Sequence, residues 1–130
     1  MSKSVIISIK PKWCGLIASG RKTLEIRKTK PKKLAPFKCY IYKSGGRKQV
    51  IGEFVCDEIT TFPDDCAAGW IVKNSCATVT ELMQYAGNND SLYAWHISEL
   101  VIYDKPKVLS EFGLSRAPQS WRYAEERTNK

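Results

Sequence analysis

The sequence predicts an α+β fold: a small closed or half-closed β-barrel with helices at its rim. Three observations predict it. Segments with period-two apolar alternation recur along the chain. The first two are joined by a short helical stretch. The later ones follow one another with a single helix inserted, not in the regular strand–helix alternation of a doubly wound parallel sheet. At 130 residues the chain is expected to form one domain, 1–130, with enough length to bury a core without disulfide or metal staples.

Each element has a local cause. In residues 4–10, Val5, Ile7 and Ile9 share one strand face, while Ile6, Ser8 and Lys10 share the other. Pro11 suits a first helical position. Trp13, Leu16 and Ile17 then form an apolar helical stripe, with Trp13 expected in the core, and Gly20 suits the helix end. Residues 22–28 read as a strand whose Leu24 and Ile26 face the core, with Thr23, Glu25 and Arg27 on the opposite face. Residues 29–36 read as a proline-containing loop, 37–43 as a strand, and Ser44–Arg47 as a turn. Residues 49–60 form a long strand with a bulge or close backbone approach at Gly52. Residues 61–77 have no clear period, beyond a short helix around Cys66–Trp70. Thr78 and Glu81 form a capping-box pattern ahead of a helical stripe that ends at Gly87. Residues 92–103 return to strand, Asp104-Lys105-Pro106 breaks it, and Leu109–Phe112 forms a helical turn. The tail from Thr128 is expected to fray.

Composition excludes several classes. No apolar run approaches the roughly 18 residues of a membrane helix, and the N-terminus lacks a signal-peptide pattern. The expectation is a cytoplasmic protein with no membrane association. Five cysteines without a C-x-x-C and a single histidine make a disulfide framework, a metal site or another cofactor unexpected. The net charge is +8, and it is unevenly placed. Residues 1–48 carry 14 basic side chains and one acid, Glu25, whereas residues 49–130 carry 7 basic and 12 acidic ones. A basic half favours an anionic partner, or is simply a solvated face.

The stretch SIKPKWCGLIASGRKTLEIRK, residues 8–28, concentrates the chemistry. A strand ending at Lys10, a helix, and a strand bearing Glu25 and Arg27 can bring Lys10, Lys22, Glu25 and Arg27 to one cleft, with Arg21 and Thr23 beside them. A carboxylate among cations orients them and can accept a hydrogen bond from a base. Lysine and arginine suit phosphate. The plainer reading is an exposed Glu25–Arg27 ion pair worth about 0–1 kcal/mol. Lys43 and Ser44, opening a glycine turn, could meet a phosphate or belong to a solvated hairpin. His96 is either a hydrogen-bonded structural residue or, if it faces the cleft, a general acid or base. Tyr40 and Tyr42, and Trp121 and Tyr123, could stack bases or fill the core.

The same stretch resembles the signature of the ASCH domain family of the PUA-like superfamily. The resemblance is carried by Ile9-Lys10-Pro11, Trp13, Ile17, Gly20, Lys22-Thr23, Glu25 and Arg27. Trp95-His96-Ile97, Tyr103-Asp104-Lys105-Pro106, Leu109-Ser110-Glu111-Phe112, Pro118-Gln119-Ser120-Trp121 and Tyr123 extend it over nearly the whole chain. It implies a PUA-like β-barrel whose first helix and Gly-x-Lys-Thr turn line a pocket for RNA, a nucleotide or a modified nucleoside. Some small relatives hydrolyse N4-acetylcytidine with a lysine, a threonine and a glutamate. Lys22 matches that lysine, but Glu25 stands at the threonine position, and no residue is assigned to the third role. Other relatives have been proposed as ribonucleases.

Three functions follow as expectations. The first is RNA or nucleotide binding in a basic cleft around Lys22 and Glu25. The second is hydrolysis, by an amidohydrolase or a ribonuclease, with Lys22 and Glu25 as catalytic residues. The third is a protein-interaction module using the acidic second half as its partner surface.

Overall fold

The computed structural model describes residues 4–32, 35–63 and 68–124. Its elements are β1 (Ser4–Ile9), α1 (Pro11–Ala18), β2 (Leu24–Arg27), β3 (Phe37–Lys43), β4 (Gln49–Phe62), α2 (Ala68–Ser75), α3 (Val79–Ala86), β5 (Leu92–Val108), a 3₁₀ turn (Leu109–Phe112) and β6 (Trp121–Ala124). The α+β class holds. The expected residues Lys33 and Leu34 of the loop, Cys66 at the start of the middle helix, and the tail from Thr128 lie outside the described residues.

The six strands form one sheet in the order β2-β5-β4-β3-β1-β6. β1 pairs parallel to β3 and antiparallel to β6, and the other neighbours are antiparallel. Backbone pairing leaves the sheet open among the described residues, with β2 and β6 as its edges. Side chains nevertheless link the two edges. Trp121 Nε1 donates to Thr29 Oγ1 at 2.9 Å, and Arg27 Nη1 donates to Ser120 Oγ at 3.0 Å. The expected barrel therefore has no closing ladder among the described residues; only side chains bridge the two edges.

Both sheet faces are covered. Val5, Ile7 and Ile9 enter the central core with Cys14, Ile17, Phe37 and Trp95. Ile6 lies on the other face with Tyr40, Tyr42 and the 3₁₀ turn residues Leu109 and Phe112. Leu24 and Ala94 are roofed by Ile71 of α2 and Leu82 of α3.

Local chemistry explains most elements. Pro11 opens α1 at the position where a missing N–H costs nothing. The capping box of α3 is present: Glu81 N donates to Thr78 Oγ1 at 3.0 Å, and Thr78 N donates to Glu81 Oε1 at 2.9 Å. Gly52 sits where a Cβ would collide with the Val101 carbonyl, as a close backbone approach requires.

Several expectations change. β2 spans only Leu24–Arg27. β4 runs two residues further, to Phe62. β5 passes through Asp104-Lys105-Pro106 instead of breaking there. The ladder steps from Gly52↔Ile102 to Val50↔Lys107, so residues 103–106 face a single β4 residue. In such a bulge Pro106 has no ladder bond to donate. β6 was not foreseen, because four residues, WRYA, carry too short a pattern. Tyr40 and Tyr42 are buried beneath Phe112 and cannot stack a base. No helix among the described residues is long and apolar enough to cross a membrane.

Candidate functional site

The alternation in β2 separates two faces correctly, but the polar face points inward. Leu24 and Ile26 meet α2 and α3. Glu25 and Arg27 lie on the face of Trp95, in the central core. Lys22 is 3% exposed, Glu25 5% and Arg27 8%. This burial rules out the exposed ion pair.

The three form one network. Glu25 Oε2 accepts from Arg27 Nε at 2.9 Å and lies 2.8 Å from Nη2, a fork that lysine cannot make. Glu25 Oε1 lies 3.4 Å from Lys22 Nζ. Lys22 Nζ also donates to the Ser75 carbonyl at 2.7 Å and sits 4.7 Å from the centre of the Trp13 ring. Arg27 Nη2 donates to the Ser8 carbonyl as well. Burial pulls the Lys22 ammonium below its usual proton affinity, and Glu25 partly opposes that shift.

These side chains floor a cavity of about 830 Å³. β1 and its exit supply Ser8 and Lys10. The turn after β3 supplies Ser44, and Ser120 precedes β6. α1 supplies Trp13, and α3 supplies Leu82 and Tyr85. Trp13 is thus half-buried, packing against the core with one side and lining the cavity. Lys28 Nζ lies 4.9 Å from the Tyr85 ring centre at the rim. On the other side of α3, Leu82 also lines a small apolar cavity of about 100 Å³, apart from the triad.

The cavity collects Lys10, Lys22, Glu25, Arg27 and Ser44 of the expected residues, but not Arg21, Thr23, Lys43 or His96. Arg21 is exposed, and its carbonyl accepts from Cys76 Sγ at 3.5 Å. Thr23 N donates to the Asn74 carbonyl at 2.8 Å, tying β2 to the end of α2. Lys43 is exposed beyond the lining. His96 pairs with Leu24 and so projects to the α2 side. There its Nε2 is 2.7 Å from Thr60 Oγ1, and its ring is 5.5 Å from Trp70. One residue of register decides this: neighbouring strand positions point to opposite faces. Ser120 and Tyr85 were not foreseen as site residues. Ser120 lies in a motif the resemblance had marked, whereas Tyr85 carries no local signal.

Among the described residues Cys14, Cys39, Cys56 and Cys76 are free thiols. Burial raises the Cys14 thiol to about 11 and Cys56 to about 12, so both are unreactive near neutrality.

The model of the ASCH domain family matches residues 7–109. The fold is similar to the crystal structure of ASCH from Zymomonas mobilis, with a TM-score of 0.79 and 21% identity over 93% of this chain and 87% of that one. Crystal structures of two single-substitution mutants of that protein match with TM-scores of 0.78 and 19% identity. They cover 97% and 96% of this chain, and 93% and 90% of theirs. At these identities the likeness speaks for the fold. No curated protein matches the chain.

Proposed function

The chain belongs to the ASCH domain family, and from that premise we propose that it binds RNA by drawing one unpaired nucleotide into the cavity floored by Lys22, Glu25 and Arg27. One observation carries this reading: a buried, mutually bonded Lys–Glu–Arg set opens onto a cavity of about 830 Å³. That volume is in the usual range for small-ligand sites. Trp13 and Tyr85 are the aromatic residues of the lining on which a base would stack, each with a lysine ammonium already over its ring, and Glu25 Oε1 retains lone pairs for a base amino group. The side-chain links between the sheet edges support the reading, since Arg27 of the triad makes one of them at the cavity. A base stacked inside a duplex cannot enter such a depth, whereas a splayed single-stranded base can. Fluorescence anisotropy should therefore show tighter binding to single-stranded RNA than to a duplex of the same length. Equal affinity for the two would contradict insertion of a base.

A second reading, an amidohydrolase acting on N4-acetylcytidine, is favoured by one feature. Burial lowers the proton affinity of Lys22, which moves an amine toward nucleophile or base chemistry. The hydrogen bond to Ser75 and the ion pair with Glu25 weigh the other way, because they occupy the ammonium. Chromatography of N4-acetylcytidine incubated with the protein tests it. The reading expects cytidine from the wild type and none from Lys22→Ala. Turnover that persists in Lys22→Ala removes Lys22 from the chemistry.

A further inference from the structure

We propose that one wall of the cavity is a phosphate subsite, so that the site takes a nucleotide with its phosphate in preference to the bare nucleoside. This rests on the cavity reading above and adds which end of the ligand lies where. The cavity has two chemically distinct walls. Ser8, Lys10, Ser44 and Ser120 come from β1 and its exit, the turn after β3 and the segment before β6. These elements adjoin at one end of the sheet, where β3, β1 and β6 are neighbours. Trp13, Ile26, Leu82 and Tyr85 come from α1, β2 and α3, and are apolar or aromatic. Arg27 reaches from β2 to the hydroxyl wall through Ser120 Oγ and the Ser8 carbonyl.

Donor arithmetic points to an anion at that wall. A guanidinium has five N–H groups. In Arg27, Nε and one Nη2 hydrogen face Glu25, the other Nη2 hydrogen goes to Ser8, and one Nη1 hydrogen goes to Ser120. Among the described residues one Nη1 hydrogen is left over. Ser120 Oγ accepts from Arg27, so its own proton is available to donate. Ser44 Oγ is 3.4 Å from the Ile9 carbonyl, a long contact that a stronger acceptor can replace. Lys10 is exposed and makes no ion pair among the described residues. Ser8 is different: its hydroxyl is committed to the Pro118 carbonyl at 2.6 Å.

Charge points the same way. Four basic residues (Lys10, Lys22, Arg27 and Lys28) and two acidic ones line the cavity. On its floor two buried cations share the single carboxylate of Glu25. A phosphate oxygen against Arg27, Ser120 and Lys10 offsets that excess through charge-assisted hydrogen bonds. The aromatic wall is left for the base.

The test is calorimetric titration of the full chain at low salt with four probes: a nucleoside 5′-monophosphate, the 3′-monophosphate, the matching nucleoside and inorganic phosphate. At least one monophosphate should bind about tenfold or more tightly than the nucleoside. In Lys10→Met and in Ser120→Ala that ratio should fall toward one. Thermal melts check that both variants fold, and both positions lie at the cavity rim, outside the central core. Nucleoside and monophosphates of equal affinity would overturn the phosphate subsite and leave the cavity reading standing. An undiminished ratio in both variants would also overturn it. If single-stranded RNA and all four probes fail to bind, the cavity reading falls, and the subsite with it.

Discussion

Lys22 is held at 3% exposure, and its proton is the most informative one in the site. Its folded-state affinity lies below the usual 10.5, with burial as the largest cause. Between that depressed value and 10.5 the unfolded chain still binds a proton that the folded chain has released. Stability therefore rises with pH across this window. Below it the cost of the buried ammonium is fully present. In Lys22→Met, which keeps most of the stem and loses the charge, that rise should disappear. Urea unfolding of both proteins at a series of pH values approaching 10.5 reads the difference. Parallel pH profiles would contradict the assignment. The same residue shows why its partners matter: without Ser75 and Glu25 the buried ammonium would keep only its contact with the Trp13 ring.

β2 is only four residues long, yet it positions the whole site. As a sheet edge it pairs with β5 alone. Arg27 joins it to β1 through the Ser8 carbonyl and to the segment before the far edge strand β6 through Ser120. Arg27→Ala removes that link and leaves Glu25 buried with only Lys22. Breaking a buried pair of this kind costs about 3–5 kcal/mol, which denaturant unfolding can measure. A loss below about 1 kcal/mol would mean that the Arg27 link between the sheet edges does not stabilise the fold. α3, the opposite wall, rests on the buried Leu82 and on its capping box. Its ion pair to α1, Lys12–Glu81, is well exposed and adds little.

At the scale of the molecule, residues 1–48 carry 14 bases and one acid, and four of those bases, Lys10, Lys22, Arg27 and Lys28, line the cavity. Binding of single-stranded RNA should weaken with salt by about 0.7 log units per log unit of salt for each phosphate neutralised. A Lys10→Gln, Lys28→Gln double variant should lose about two such increments from that slope. An unchanged slope would place the RNA elsewhere on the surface. Much of this organisation was legible in the residues. Pro11, Gly52 and the Thr78–Glu81 box determined local structure by local sterics and hydrogen bonding, and spacing alone put Glu25 and Arg27 on one strand face. Pattern also separated Val5, Ile7 and Ile9 from Ile6. Only the tertiary structure decided that both faces of β2 would be buried, that His96 would turn toward α2, that Pro106 would sit inside a bulged strand, and that Tyr85 and Ser120 would join Lys22 around one cavity. A period of two distinguishes the faces of a strand without saying what covers either. That depends on contacts between segments far apart in the chain, such as Arg27 with Ser120, whose pairing leaves no local trace.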